Sequence, residues 1–338
     1  MKTVKITGKK QAELTEVSDP RIRDDFVLVK IHSAAMCTEY KTFVTGQVTD
    51  VLGHEAAGEV VEVAQPGKVR VGDRVVVMPQ YPCGKCSLCL AGEYIHCQHC
   101  VDPLDLCGSQ SGNATYAQYC IKQDWLLIPI PANMSYDHAS MACCGLGPAF
   151  AAMQCMQVNS FDTVVIAGMG PVGLGGIVNA RYRGARVIAV ASTPYRKALA
   201  RKLGADAVID PQEGGSLEKI MQLTGGVGAD KSIDCAGSEA AQRLLIDTTR
   251  RLGTVCLIGE SGNLTIAVSD DAIRKGLTLR GVWHWNLSDS HLMMKMIAES
   301  KAQLNMQITH TFPLSRVKDA FELQISKKCG KVILHPWE

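Results

Sequence analysis

Four cysteines, Cys83, Cys86, Cys89 and Cys97, follow the spacing C-x2-C-x2-C-x7-C. Four thiolates in so short a loop can close a tetrahedron around zinc and leave no open position, which makes the site structural rather than catalytic. They belong to a clump that also holds Cys100 and Cys107, in a chain of 14 cysteines. In a reducing compartment such clumping points to thiolate–metal chemistry rather than to disulfides. Cys100, Cys107, His96 and His99 lie nearby, and nothing in the spacing requires them as ligands. A second set of possible donors is dispersed: Cys37, then Gly53-His54-Glu55, then Cys144. Taken singly, each cysteine reads equally well as a small buried hydrophobe, and His54 as a hydrogen-bonded core residue.

Gly168-Met169-Gly170-Pro171-Val172-Gly173 fits G-x-G-x-x-G. The fingerprint gains meaning from its place between a predicted strand, 163–167, and a predicted helix, 171–182. The glycines let the backbone turn tightly against a pyrophosphate, and the helix that starts at Pro171 supplies a positive dipole end and N–H donors from Val172 and Gly173 onward. An acid at the end of the next strand would accept hydrogen bonds from both ribose hydroxyls. Here that strand, 186–190, runs into Ala191-Ser192-Thr193 with no acid, and Arg196 follows. Small hydroxyls and a cation suit a 2′-phosphate, so NADP(H) is favoured over NAD(H). With Arg196 as a solvated helix residue, NAD(H) stays the alternative.

These residues need a scaffold that changes texture along the chain. The first 145 or so residues read as short strands, at 26–32, 57–63, 73–78 and 117–121, separated by turns and the cysteine-rich loop. From residue 163 strands and helices alternate. Strands are predicted at 163–167, 186–190, 207–209, 230–235, 253–258 and 277–281, with helices at 171–182, 195–203, 216–224 and 239–252. Six strands so connected suit a doubly wound parallel sheet. The tail, 287–338, carries one predicted helix, 315–325, and a last strand, 330–334, and is expected to rejoin the first domain.

Length and composition agree with two soluble domains: 338 residues, 46% hydrophobic and 20% charged. A formal net charge of +2 provides no field to draw in nucleic acid or an acidic membrane, and neither is expected as a partner. The uncharged stretch 163–180 holds five glycines and Pro171, a poor composition for a membrane helix. Residues 1–10 are lysine-rich and lack the apolar run of a signal peptide, which points to a cytoplasmic protein.

Several segments together carry a resemblance: Gly53-His54-Glu55-Ala56-Ala57-Gly58-Glu59-Val60, Val71-Gly72-Asp73-Arg74-Val75, the four-cysteine loop and the Gly168–Gly173 fingerprint. In their order and spacing the chain resembles the zinc-dependent medium-chain alcohol dehydrogenases over essentially its full length. The resemblance implies an α/β protein with a GroES-like β-rich catalytic domain, 1–147 and 285–338, and an inserted doubly wound Rossmann domain, 148–284. It implies two zinc ions per chain, the catalytic one held by Cys37, His54 and Cys144. Glu55 is either a fourth, exchangeable ligand or a residue that orients the site, and Cys143 is the alternative to Cys144. Two cysteines and a histidine leave one position open for the oxygen of a small alcohol or carbonyl substrate. A homodimer or homotetramer is implied too, with the apolar stretch 257–268 and the last sheet strand as the contact edge.

Two features depart from that family. A hydroxyl residue usually stands two positions after the first cysteine ligand and starts the proton relay, but here the position is Glu39. Three roles are open to it: acid/base near the reacting oxygen, acceptor for a substrate hydroxyl or amine while Thr38 or Thr42 passes the proton, or a solvated side chain. The segment between Gly46 and Gly53 is also short, which suggests an open pocket and a bulky or polar substrate such as a polyol, sugar or cyclitol. Tyr40, Phe43, Phe150, Trp283, His284 and Trp285 are candidate lining residues. The competing readings are an inactive zinc- and nucleotide-binding scaffold and an enone or quinone reductase.

Overall fold

The N-terminal part is organised around one long strand. In the computed structural model, which describes residues 1–260 and 262–338, β1 (Lys2–Gly8) and β2 (Gln11–Glu16) form a hairpin ahead of β3 (Phe26–Ala35). Helix α1 (Tyr40–Thr45) follows, then β4 (Ala56–Val63) and β5 (Arg74–Val77). The cysteine loop carries α2 (Ser87–Leu90) and leads to α3 (Pro103–Cys107), β6 (Tyr119–Gln123), β7 (Leu127–Pro129) and α4 (Tyr136–Ser140). β3 pairs antiparallel with β4 along one edge; its other edge takes β6 at residues 26–30. A strand central to a sheet can be buried on both faces, and β3 is apolar nearly throughout: Phe26, Val27, Leu28, Val29, Ile31, Ala34 and Ala35 are all buried.

The second part begins with α5 (Gly147–Cys155) and alternates strand and helix: β8 (Thr163–Ala167), α6 (Pro171–Tyr182), β9 (Arg186–Val190), α7 (Pro194–Lys202) and β10 (Ala207–Ile209). It continues with α8 (Ser216–Leu223), β11 (Ala229–Asp234), α9 (Glu239–Thr248), β12 (Thr249–Leu257) and β13 (Thr278–Gly281). The sheet order is β10-β9-β8-β11-β12-β13, and all its pairs are parallel. That is the doubly wound order with its switch point beside β8. Val165, Ile188, Ile220, Leu245 and Val255 are buried in its core.

The tail holds α10 (Ser290–Glu299), α11 (Lys301–Gln307), β14 (Ile308–Pro313), α12 (Val317–Ser326) and β15 (Lys331–His335). β14 pairs parallel with β15, and β15 joins β3 at Ala34 and Ala35, so the chain end completes the first sheet. Phe321 of α12 stacks on Phe43 with ring centres 4.9 Å apart inside the first core.

Two compact units result: residues 1–145, 286–299 and 308–338 in one, residues 146–285 and 300–307 in the other. Segment 300–307, expected with the tail, belongs to the second unit, where Gln307 Nε2 donates to Pro171 O at the start of α6. Two further expectations are corrected. The helix predicted at 239–252 ends at Thr248, where β12 begins. The tail has three helices and two strands instead of one of each. Ser261, within the expected contact stretch 257–268, lies outside the described residues. Among the described residues no helix is long and apolar enough to cross a membrane.

Candidate active site and metal centres

Antiparallel pairing of β3 with β4 brings Ala34 opposite Ala56. Cys37, just past the end of β3, therefore meets His54 and Glu55, just ahead of β4. Gly53 allows the approach: its φ is +83°, and a Cβ there would lie 2.3 Å from the Tyr116 ring. Cys144 reaches the same place in the turn after α4. One donor atom each from Cys37, His54, Glu55 and Cys144 lies within 4.8 Å of all the others. His54 Nε2 is 3.2 Å from Cys144 Sγ. Cys143 points away, its thiol donating to Val77 O at 3.3 Å, so of the two neighbouring cysteines Cys144 joins the donor set.

Of the three roles open to Glu39 in the sequence, the structure overturns the solvated one. Its side chain is only 11% exposed, with Oε1 2.7 Å from His54 Nδ1. Its Oε2 accepts from the Tyr116 hydroxyl at 2.8 Å and the Cys37 amide at 3.1 Å. Burial alone would raise its pKa, but hydrogen bonds from His54 and Tyr116 and the imidazole charge lower it to about 2. Glu39 is thus a buried acceptor that fixes His54 and is not a solvated side chain. Burial likewise opposes a charged His54, yet Cys37 and Glu39 together raise the imidazole to about 11. The Cys37 thiol is lowered, chiefly by the hydrogen bond from Cys144.

Glu55 is fully buried with both oxygens engaged. Oε1 pairs with Lys331 Nζ at 2.7 Å and Oε2 accepts the Gly145 amide at 3.1 Å. Burial raises its pKa to about 7 against the pull of Lys331, which is itself fully buried. These partners make Glu55 an anchor for the turn that carries Cys144. Lys331, which sequence reasoning missed, arrives on β15, where the Met36 amide donates to Val332 O.

In the cysteine loop the Sγ separations are 3.5 Å for Cys86–Cys89, 3.6 Å for Cys83–Cys97 and 3.9 Å for Cys86–Cys97. A tetrahedron of zinc–sulfur bonds has edges of about 3.8 Å, so the set fits zinc. Amides of Cys83 and His99 each donate to Cys97 Sγ at 3.3 Å, a field that favours thiolate. The sulfur and imidazole donors of the Cys37 set fit the same metal.

In the second unit, Gly168 has φ +91° and a Cβ there would lie 2.5 Å from Ala236 N; one on Gly173 would lie 1.9 Å from Gly168 O. Around a Cβ on Gly170, by contrast, there is nothing within 4 Å, the space a pyrophosphate needs. Gly170 caps α6 with no side-chain hydrogen bond, and Pro171 and Val172 open the helix, so its first N–H groups are available to an anion. Ser192 is exposed beyond β9, the Thr193 hydroxyl is buried without a partner among the described residues, and Arg196 lies on α7.

Of the expected lining residues, Phe43 is core, Tyr40 packs against that core, and Phe150, His284 and Trp285 are buried in the second unit. Trp283 is half exposed. A cleft of about 580 Å³ in the first unit is lined instead by Glu39, Val51, His54, Gln80, Tyr81 and Asn113 among others. Only Glu39 and His54 of these carried a motif signal.

The family model for the alcohol dehydrogenase GroES-like domain matches residues 23–132, and that for the zinc-binding dehydrogenase matches 171–299. The chain is 30% identical to the uncharacterized zinc-type alcohol dehydrogenase-like protein YphC of Escherichia coli K12, covering 98% of this chain and 97% of that one. It is 31% identical to D-arabitol-phosphate dehydrogenase of Enterococcus avium, covering 93% and 91%. Alcohol dehydrogenase TADH from Thermus sp. ATN1 shares the fold, with a TM-score of 0.89 at 24% identity over 99% of each chain. With both domain models matched in order and full-length relatives on either side of the same architecture, this chain belongs to the zinc-dependent medium-chain alcohol dehydrogenase family.

Proposed function

We propose that the protein is an NADP(H)-linked oxidoreductase that moves hydride between the nicotinamide and the carbinol or carbonyl carbon of a polyol, sugar or cyclitol. The observation that carries this reading is the convergence of Cys37, His54 and Cys144 with His54 Nδ1 held by a buried carboxylate. In this reading Cys37, His54 and Cys144 hold a catalytic zinc, and Cys83, Cys86, Cys89 and Cys97 a structural one. When bound, the catalytic zinc supplies Lewis-acid polarisation of the substrate oxygen and the nicotinamide supplies the redox step.

The chain's own residues prepare that chemistry. Glu39 accepts a hydrogen bond from His54 Nδ1, which fixes the ring with Nε2 facing the cysteines, where it would offer its lone pair once the Nε2 proton gives way to zinc. The Tyr116 hydroxyl and the Cys37 amide keep Glu39 in place. Glu55 and Lys331 hold the Gly145 turn, so that Cys144 meets the other donors in one orientation. Gly168 to Gly173 and the start of α6 receive the pyrophosphate. The absence of a carboxylate at Ala191-Ser192-Thr193, with Arg196 beyond, supports the 2′-phosphate of NADP(H).

We place the protein in the cytoplasm, where a reducing poise keeps thiolates available for metal, and as a homodimer or homotetramer. The exposed edge strand β13 supports self-association, and light scattering on the eluted protein tests it. The main test is zinc content together with turnover on alcohols, polyols and aldehydes, with NADP(H) and NAD(H) offered separately. About two zinc ions per chain and NADPH-linked turnover are expected. Turnover with NADH alone overturns the cofactor assignment and keeps the enzyme. One zinc ion and no turnover with either favours the inactive scaffold.

A further inference from the structure

The cleft beside His54 has a definite chemistry. At about 580 Å³ it lies within the range of roughly 300–1,000 Å³ usual for small-molecule sites. Its walls present two carboxylates, Glu39 and Asp102, two carboxamides, Gln80 and Asn113, and no lysine or arginine. Among the described residues neither carboxamide side chain has a partner within the protein. A carboxamide offers two donors and one acceptor, which match hydroxyl groups that both donate and accept. Glu39 is paired with His54, and a phosphate monoester reaching past that pair would meet the Asp102 carboxylate and the carboxamides with no lysine or arginine to bind it, which is discrimination against the charged ester.

The backbone under Gln80 is built to hold it. Gln80 adopts φ +66°, a left-handed conformation uncommon outside glycine. Three side-chain bonds fasten residues 80–82 to β6. Lys122 Nζ donates to Gln80 O at 2.8 Å, Gln123 Nε2 to Pro82 O at 2.7 Å, and the Tyr81 hydroxyl to Ile121 O at 3.1 Å. Lys122 is itself buried, with its ammonium 3.5 Å from the centre of the Tyr81 ring. A lysine ammonium committed to one backbone carbonyl beneath an exposed, conformationally strained glutamine is a clamp, and strain of this kind gathers at ligand sites.

We propose that Gln80 and Asn113 determine specificity by reading the hydroxyl groups of an unphosphorylated polyol, and that Lys122 is the positioning residue that sets Gln80. This rests on the reading of the protein as an alcohol oxidoreductase, and it separates the chain from its arabitol-phosphate relative.

The test is steady-state kinetics of the zinc-loaded protein on D-arabitol, galactitol, a phosphate monoester of each, and 2-butanol. The free polyols should exceed their monoesters in kcat/KM by about tenfold or more, the scale of one or two unmatched polar contacts. Gln80→Met and Asn113→Leu should each raise KM for the polyols by about five- to tenfold while kcat changes little. Lys122→Met should reproduce the KM rise of Gln80→Met and add little in the double variant, which general destabilisation would not do. A preference for the monoesters, or amide variants with unchanged polyol KM, overturns the proposal. Turnover of 2-butanol without any polyol turnover also overturns it and leaves the alcohol oxidoreductase standing; no turnover of any alcohol overturns that broader reading as well.

Discussion

Glu39 joins three groups that would otherwise be held separately: the imidazole of His54, the hydroxyl of Tyr116 and the amide of Cys37. Replacing it by glutamine keeps the shape, removes the charge opposite Nδ1 and turns an NH2 group toward a donor. Outer-shell partners of this kind are worth about 10- to 100-fold in metal affinity or activity. Glu39→Gln should therefore weaken zinc retention against a chromophoric chelator and lower kcat/KM by that order; wild-type zinc retention would reduce Glu39 to packing. Glu55 and Lys331 form a second residue-scale test. Both are fully buried, so Lys331→Met strands a carboxylate in the interior, a loss of about 3–5 kcal/mol. Denaturant unfolding should show that loss and its partial recovery in Glu55→Gln/Lys331→Met, because the double variant removes both charges.

At the scale of elements, β15 is tied back to the start of α4. His335 Nε2 lies 2.9 Å from Asp137 Oδ1, which also accepts from the Ser33 hydroxyl on β3. The hydrogen bond to Asp137 raises the His335 pKa above its ordinary 6.5. Burial would raise Asp137, yet its bonds from His335 and Ser33 hold it below 3.8. The raised histidine contributes stability that is full below pH 6.5 and fades as pH climbs through its folded value. The lowered aspartate contributes above pH 3.8 and fades as pH falls through its own. The Tm gap between wild type and His335→Gln should thus be widest between pH 3.8 and 6.5 and shrink on the alkaline side. A gap that widens with alkalinity would show that the pair contributes nothing as an ion pair.

Elements also show where the sequence was readable. Helix α6 was legible to the residue because Gly170 and Pro171 mark its start and an uninterrupted strand precedes it. The end of α9 was not: Thr248 and Thr249 bond back to Leu244 O and Leu245 O, and β12 takes over at once to pair with β11. Leu252 sits at φ +59° inside that strand, which no periodicity announces. β14 stayed hidden because Ile308, Thr309, His310 and Thr311 have little apolar alternation. The two donor clusters were legible through spacing and resemblance, whereas Glu39's actual partners, Lys331 and the clamp on Gln80 arise from contacts between segments far apart in sequence.

For the whole molecule, the division of labour follows the two units. Both cysteine-containing donor sets lie in residues 1–145, and the Gly168–Gly173 turn, the proposed pyrophosphate cradle, lies in residues 146–285. Each unit has its own buried apolar core. Metal binding contributes folding free energy only to the part that carries its ligands, because a preformed site does not survive in the unfolded chain. Strong chelation should therefore lower the temperature at which the first unit loses structure while the second keeps its fold and its affinity for the dinucleotide. NADP+ titrated against zinc-free protein, followed by protein fluorescence, should bind with a dissociation constant close to that of the zinc-loaded form. Calorimetry should then show NADP+ shifting one transition and zinc the other. Loss of dinucleotide binding in step with loss of zinc would mean that the cradle depends on the metal-bearing unit for its shape, and that the two cores fold as one.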